Sequence, residues 1–354
     1  MADPPRPGGG PASKPDPELV GSIDRLVDEL IRRDASSSQR RLFRSMLDTV
    51  AGLAAEGTEV IDLKVADSAL AEMADAFRVF RPFRHERKVT IFGSARTEPD
   101  HPAYRCTRDL AASMAAADWM VVTGAGPGIM AAGMEGAGRD KSIGVNIRLP
   151  FEQGANSFIA QDPKLVEMRY FFTRKLMLIK ESDGYVVMPG GFGTLDEGFE
   201  LLTLLQTGKA EPAPVVMLDV PGGTYWSGWD DFVATTVEPR GLVSPDDRSL
   251  FMITDDVEAA TAEILGFYRN YQSCRWVGDL LVMRMFRAPG PAELARLNSE
   301  FGDIVAGGSM RLSNPLPPER SDGDHLGLDR LVFRFDKVHY GRLRQLIDEL
   351  NDLT

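Results

Sequence analysis

The chain has little cysteine: Cys106 and Cys274 are its only two, far apart in sequence, which excludes a disulfide framework. Its four histidines, His85, His101, His325 and His339, form no ligand-spaced pair, so no zinc site is evident and no metal is expected. Positive charge is also in short supply, with 40 Lys and Arg against 52 Asp and Glu and a net charge of −12. That balance excludes a broad basic face for duplex nucleic acid, and any anionic ligand has to be held by a local cluster. No apolar run approaches the roughly 18 residues needed to cross a bilayer, so no membrane helix or membrane partner is expected. Residues 1–17 are rich in proline, contain Gly8-Gly9-Gly10, and lack the apolar core of a secretory signal, so they read as a flexible tail. Without an export signal and with few thiols, the cytoplasm is the default compartment. What is present is ordinary for a globular chain. The 354 residues are 43% hydrophobic and 26% charged, enough for about two domains or one large domain with appendages.

Residues 18–85 read as helical. Leu19, Ile23, Leu26, Val27, Leu30 and Ile31 recur at helical spacing, and two further helical patterns follow, the last from about Val65 to Phe80. Near Lys88 the pattern changes. Short apolar β-type runs occur at Val89–Phe92, Trp119–Thr123, Ser142–Ile147, Gly184–Met188, Pro214–Leu218 and Leu250–Ile253, separated by helical patterns at 102–117, 128–139, 170–181 and 195–207. Strands apolar on both faces that alternate with helices predict an α/β domain over residues 86–274, with a Rossmann-like, doubly wound parallel sheet. Residues 275–354 change character again, and the order of strand, helix, two strands and helix suggests a small α+β appendage. Asn314–Gly327, rich in Pro, Asp and Gly, reads as an exposed loop.

Two strand-to-helix turns could carry chemistry. The first runs Gly124-Ala125-Gly126-Pro127-Gly128-Ile129-Met130 after an apolar strand, and glycines there would let an anion approach backbone N–H groups at a helix start. It fits the dinucleotide fingerprint poorly: its third glycine comes one position early, and the following strand ends Gly144-Val145-Asn146 without the expected acid. NAD is therefore not expected, and a tight turn without ligand stays open. The second runs Pro189-Gly190-Gly191-Phe192-Gly193-Thr194-Leu195-Asp196-Glu197. Thr194 and Glu197 have the spacing of a capping box, but that reading leaves the glycines unexplained. Glycines at 190, 191 and 193 would open a surface to a phosphate, with the Thr194 hydroxyl as donor. No Gly-Lys-Ser/Thr ending follows, so a triphosphate P-loop is not supported. Both turns should lie at the carboxyl edge of one sheet, where such folds bind ligands. Upstream, Arg174-Lys175 sits at the start of a predicted helix, against its dipole, a cost that a bound anion would remove.

At these residues the sequence resembles the Lonely Guy (LOG) family, whose members often carry a lysine-decarboxylase-like label. The likeness runs from about Val89 to Tyr271 and is carried by Pro189-Gly190-Gly191-x-Gly193-Thr194-x-x-Glu197, Arg174-Lys175 and the Gly124–Met130 turn. It implies a phosphoribohydrolase that cleaves a nucleoside 5′-monophosphate to free base and ribose 5-phosphate. By the same resemblance Arg174 and Glu197 form the catalytic pair. Glu152, Lys175, Gly190, Gly191, Gly193, Thr194 and Thr203 would lie at the nucleotide, with Ser94, Gly124, Gly126, Gly128 and Met130 in the facing wall. No cofactor is implied, and a homodimer or larger assembly is. The segment Glu167–Thr173 lacks the Met-His pair that precedes Arg-Lys in the short plant-like members, so AMP is the simplest expected substrate.

The chemistry suits the residue types. Glycosidic cleavage passes through an oxocarbenium-like state, where a carboxylate stabilises positive charge or activates water. Arg174 would ease departure of the base or hold the phosphate, and both roles stay open at this point. The alternative is a non-catalytic protein that binds a phosphate-containing cofactor or signalling nucleotide, as molybdenum-cofactor carriers do.

Overall fold

The computed structural model describes residues 17–31, 36–149 and 154–353. The chain divides into two units, residues 2–71 and 72–354. In the first, α1 (Pro17–Leu30) and α2 (Ser37–Ala55) pack Ile23, Val27 and Ile31 against Leu47 and Ala51. A capping box between Ser36 and Gln39 starts α2, and Arg44 pairs with Asp24 and Asp48. Helix α3 (Val60–Phe80) begins in this unit and ends in the next. No helix among the described residues is long and apolar enough to cross a membrane.

The second unit is built on a seven-stranded parallel sheet, confirming the α/β, Rossmann-like expectation. Its strands are β1 (Lys88–Phe92), β2 (Met120–Thr123), β3 (Ser142–Ile147), β4 (Leu165–Met168), β5 (Gly184–Val187), β6 (Val215–Leu218) and β7 (Met252–Thr254), in the order β4-β3-β2-β1-β5-β6-β7. Alternation along each strand feeds two cores. Phe92, Val122, Val145 and Val187 pack with α6 (Phe171–Lys180) and α7 (Phe192–Gln206) on one face. Val89, Ile91, Val121 and Val186 pack with α4 (Pro102–Ala116), α5 (Ile129–Ala137) and α9 (Val257–Gly266) on the other. The sequence pattern found six of these strands. It missed β4, a four-residue edge strand with only partial apolar alternation, and it missed α8 (Tyr225–Phe232) and α9. From β1 the chain moves outward through β2, β3 and β4, then returns to place β5 on the other side of β1. The crevice beyond the carboxyl ends of β1 and β5 is therefore the topological switch point.

The C-terminal lobe has an antiparallel sheet of β8 (Tyr271–Val277), β9 (Leu280–Met285), β10 (Arg311–Leu312) and β11 (Asp329–Phe333), ordered β10-β11-β9-β8. One face packs Leu281, Met283 and Leu331 against α10 (Pro291–Glu300) and α12 (Tyr340–Asn351). The segment 314–327, expected to be exposed loop, instead contains α11 (Pro317–Asp322). Its Glu319 is wholly buried, accepting from Arg284 Nε at 3.0 Å, Arg330 Nε at 3.1 Å and the Leu316 N–H at 3.0 Å. Burial alone would raise this carboxyl. The Leu316 amide and the Arg330 and Arg284 guanidiniums outweigh it and hold the group below the usual glutamate range. Composition marks the segment as loop because the partners that order it come from β9 and β11.

Removing one partner from a buried charge cluster leaves the others uncompensated, at roughly 3–5 kcal/mol. Glu319→Ala should lower stability by about that amount in equilibrium urea unfolding at neutral pH. Because the folded-state pKa is depressed, the contribution of the Glu319 charge is present above the ordinary glutamate range and fades as pH falls through the lowered value. A loss below about 0.5 kcal/mol would reduce the cluster to a surface-type interaction.

Candidate active site

The switch-point crevice is a cleft of about 880 Å³ whose lining includes Ser94 after β1, Gly124 after β2, and Gly190 to Glu197 after β5. Arg174, in the first turn of α6, reaches its floor and is 6% exposed. Its Nε donates to the Val145 carbonyl at the end of β3 at 2.9 Å, and its Nη1 donates to Glu197 Oε1 at 2.8 Å. Gly124 makes room for the guanidinium: a Cβ there would lie 1.8 Å from Nη2.

Glu197 comes from α7, and here one expectation is corrected. The helix starts at Phe192 with Gly191 as its cap, so Thr194 sits inside the first turn and the Thr194–Glu197 capping box does not form. With the start three residues earlier, Glu197 sits one turn after Thr194 and meets Arg174. Burial pushes its carboxyl above the ordinary range, and the opposing charge and hydrogen bond of Arg174 offset only part of that.

The glycines divide into two kinds. At Gly191 and Gly193 a Cβ would meet nothing within 4 Å, so packing does not require glycine there and the backbone is open to the cleft. Gly190 is required by packing, since a Cβ would fall 2.2 Å from Thr194 Oγ1, and its carbonyl accepts from Tyr225 Oη at 2.7 Å. On the opposite wall Gly128 has φ +66° and lies against the Ser94 carbonyl, which accepts the first N–H of α5 from Ile129 at 3.0 Å. Gly126 abuts the Met130 side chain, and Met130 reaches the cleft. Gly126 and Gly128 therefore shape the wall from behind. Phe171 and Phe192, 53% and 94% exposed, stand at the cleft, and Ile147 and Leu149 extend its apolar side.

Not every expected residue is brought to the cleft. Lys175 pairs instead with Asp196 at 2.9 Å and Glu200 at 2.5 Å and is not among the lining residues. Thr203 donates to the Phe199 carbonyl and lines a separate apolar pocket with Trp229 and Phe251, outside the lining of this cleft. Two turns of α7 beyond Thr194 carry it away from the sheet edge. Glu152 lies outside the described residues. Two bracing residues were missed. Besides Tyr225, Asn156 donates from Nδ2 to the carbonyls of Ala125 and Gly126, both at 3.0 Å, and holds the first glycine turn. Neither lies in a periodic pattern or a motif, so only the folded loops reveal them. Among the described residues no group of three His, Cys, Asp or Glu side chains is arranged to hold a metal ion.

Residues 128–264 match the family described as "Possible lysine decarboxylase". The cytokinin riboside 5′-monophosphate phosphoribohydrolase LOG3 of Arabidopsis thaliana is 35% identical over 102 residues, 28% of this chain and 43% of that protein. The resemblance to the LOG family holds. A probable LOG-type phosphoribohydrolase of Oryza sativa subsp. japonica, LOGL3, is 36% identical over 92 residues, 26% of this chain and 39% of its own. The chain thus spans about two fifths of the length of these LOG relatives. Among solved structures, the molybdenum cofactor binding protein of Rippkaea orientalis aligns at 16% identity and TM-score 0.34, covering 49% of this chain and 91% of that one. The molybdenum cofactor carrier protein of Chlamydomonas reinhardtii aligns at 19% identity and TM-score 0.34, covering 50% and 94%.

The electrostatics of this cleft are directly testable. Arg174→Met removes the cation that favours the ionised form of Glu197, so the already raised carboxyl pKa should rise further. A carboxyl ¹³C titration of Glu197 would show it, and an unchanged midpoint would mean that the two groups are not coupled.

Proposed function

We propose that the cleft hydrolyses the N-glycosidic bond of a nucleoside 5′-monophosphate, releasing free base and ribose 5-phosphate, with AMP the simplest substrate. The observation that carries this reading is the buried Arg174–Glu197 pair at the floor of a glycine-walled cleft. The 5′-phosphate sits at the start of α7, where Gly191 and Gly193 leave the backbone open and the helix N-terminus favours negative charge. The base lies along the apolar side formed by Ile147, Leu149 and Phe171. Between them the ribose presents its anomeric carbon to Glu197.

In the reaction the bond from the anomeric carbon to the base nitrogen breaks as positive charge builds on the sugar. Glu197 stabilises that charge and accepts a proton from the attacking water, whose oxygen bonds to the anomeric carbon; the departing base takes a proton from solvent, to which Glu197 then returns its own. Because burial raises its pKa, Glu197 depends on Arg174 to stay ionised, which gives the arginine a role beyond holding substrate. Binding energy from the remote phosphate orients the sugar, which favours a monophosphate over a nucleoside. A homodimer or larger assembly belongs to the same reading, and size-exclusion chromatography tests it separately.

The experiment is incubation with AMP, GMP, CMP, UMP, isopentenyladenosine monophosphate and the matching nucleosides, with free base followed by chromatography. Base should come from monophosphates only, and Glu197→Gln should reduce turnover about 10²–10⁴-fold while the fold persists. The rate should rise with pH through a limb lying above the ordinary glutamate range, because only the ionised carboxylate serves. Nucleotide binding without base release from any substrate would overturn the hydrolase reading in favour of a carrier.

A further inference from the structure

Helix α6 begins with a local conflict. Its first turn carries Arg174, with Lys175 next to it, and no acidic residue, and Tyr170, at its cap, supplies no side-chain hydrogen bond. Cations at this end oppose the helix dipole. The missing carboxylate comes from 101 residues upstream, on α3: Glu72 Oε2 accepts from Thr173 Oγ1 at 2.7 Å. Its Oε1 accepts the backbone N–H of Arg169 at 3.0 Å, so one carboxylate ties the entry loop to the first turn of α6. Glu72 is 8% exposed and Thr173 is fully buried. Thr173 Oγ1 also lies 2.9 Å from the Tyr170 carbonyl, the same carbonyl that accepts the N–H of Arg174 at 3.2 Å.

We propose that Glu72 is a positioning residue for Arg174. A carboxylate bonded to a backbone N–H and a buried hydroxyl makes strong, directional contacts and places negative charge where α6 lacks it. Both contacts flank the residue that must aim a guanidinium at two targets, the Val145 carbonyl and Glu197. Neither target lies on α6, so the position and rotation of this first turn decide whether both bonds form. A displacement of about 1 Å at such a site costs on the order of 10²-fold in rate. The end of α3 is by this argument part of the site's framework, although Glu72 touches no reacting atom.

The kinetic half of the test rests on the hydrolase reading, and the spectroscopic half does not. Glu72→Ala, Glu72→Gln and Thr173→Val would be compared in the full chain with Asp75→Asn, an exposed control on the same helix, and with Ile264→Val, a buried control on α9. The Arg174 Nε–H resonance, assigned by its loss in Arg174→Lys, should shift in Glu72→Ala and Thr173→Val and stay in place in both controls. With AMP, Glu72→Ala should lower kcat about 10- to 100-fold with KM changed less than about threefold. Glu72→Gln, whose amide can serve both contacts, should recover most of that loss. An unmoved Arg174 resonance in Glu72→Ala would overturn the proposal. So would a kcat loss no greater than that of Ile264→Val at equal melting temperature. If the wild-type chain releases no base, the hydrolase reading fails and the Arg174 resonance still decides the role of Glu72.

Discussion

The buried pair between Arg174 and Glu197 is the constraint around which the cleft is organised. Desolvating both charges is costly, and an incomplete set of partners would leave one of them uncompensated in the interior. The chain meets that demand from several directions at once. Strand β3 contributes the Val145 carbonyl, the glycine that follows β2 leaves space for the guanidinium, and α7 starts early enough to turn Glu197 inward. These segments meet because the chain adds β2 and β3 on one side of β1 and then returns to add β5 on the other, with every strand parallel. The fold therefore supplies the crevice, and the ion pair gives its floor a defined charge.

The walls show how one residue type serves two purposes. Gly124, Gly128 and Gly190 are glycine because another part of the protein occupies the space a side chain would take, and at Gly128 because φ is also positive. Gly191 and Gly193 face open space, where packing places no demand for glycine. Asn156 and Tyr225 hold the two glycine turns by their carbonyls, so the turns keep their shape despite having few side chains of their own. Rigid turns of this kind reduce the ordering cost of binding a small anion.

The C-terminal lobe repeats the theme of buried charge. Glu319 binds α11 to the sheet through Arg284 and Arg330, both almost fully buried. Its other face has an ordinary apolar core. The lobe contacts the parallel-sheet domain through pairs such as Arg344 with Glu263 at 2.5 Å, and through Arg87, which donates to the Gln272 carbonyl at 3.2 Å and stacks over Tyr268.

Much of this was legible in the residues. Strands apolar on both faces announce a covered parallel sheet, and glycine-rich strand-to-helix turns announce where a ligand would approach. These are local properties of period, side-chain size and backbone freedom, which neighbouring residues determine by themselves. Other features were not legible: the short edge strand β4, the early start of α7, the helix inside the Pro- and Asp-rich segment, and the departure of Lys175 and Thr203 from the cleft. Most of these depend on a partner outside the local segment. Arg174 and Glu197 are 23 residues apart, Glu319 and Arg284 are 35 apart, and Glu72 and Thr173 are 101 apart. Local periodicity and residue type are enough to establish the alternation of elements and the chemistry at the sheet edge. Which carboxylate meets which cation is settled by packing, because it follows from where the helices place their ends.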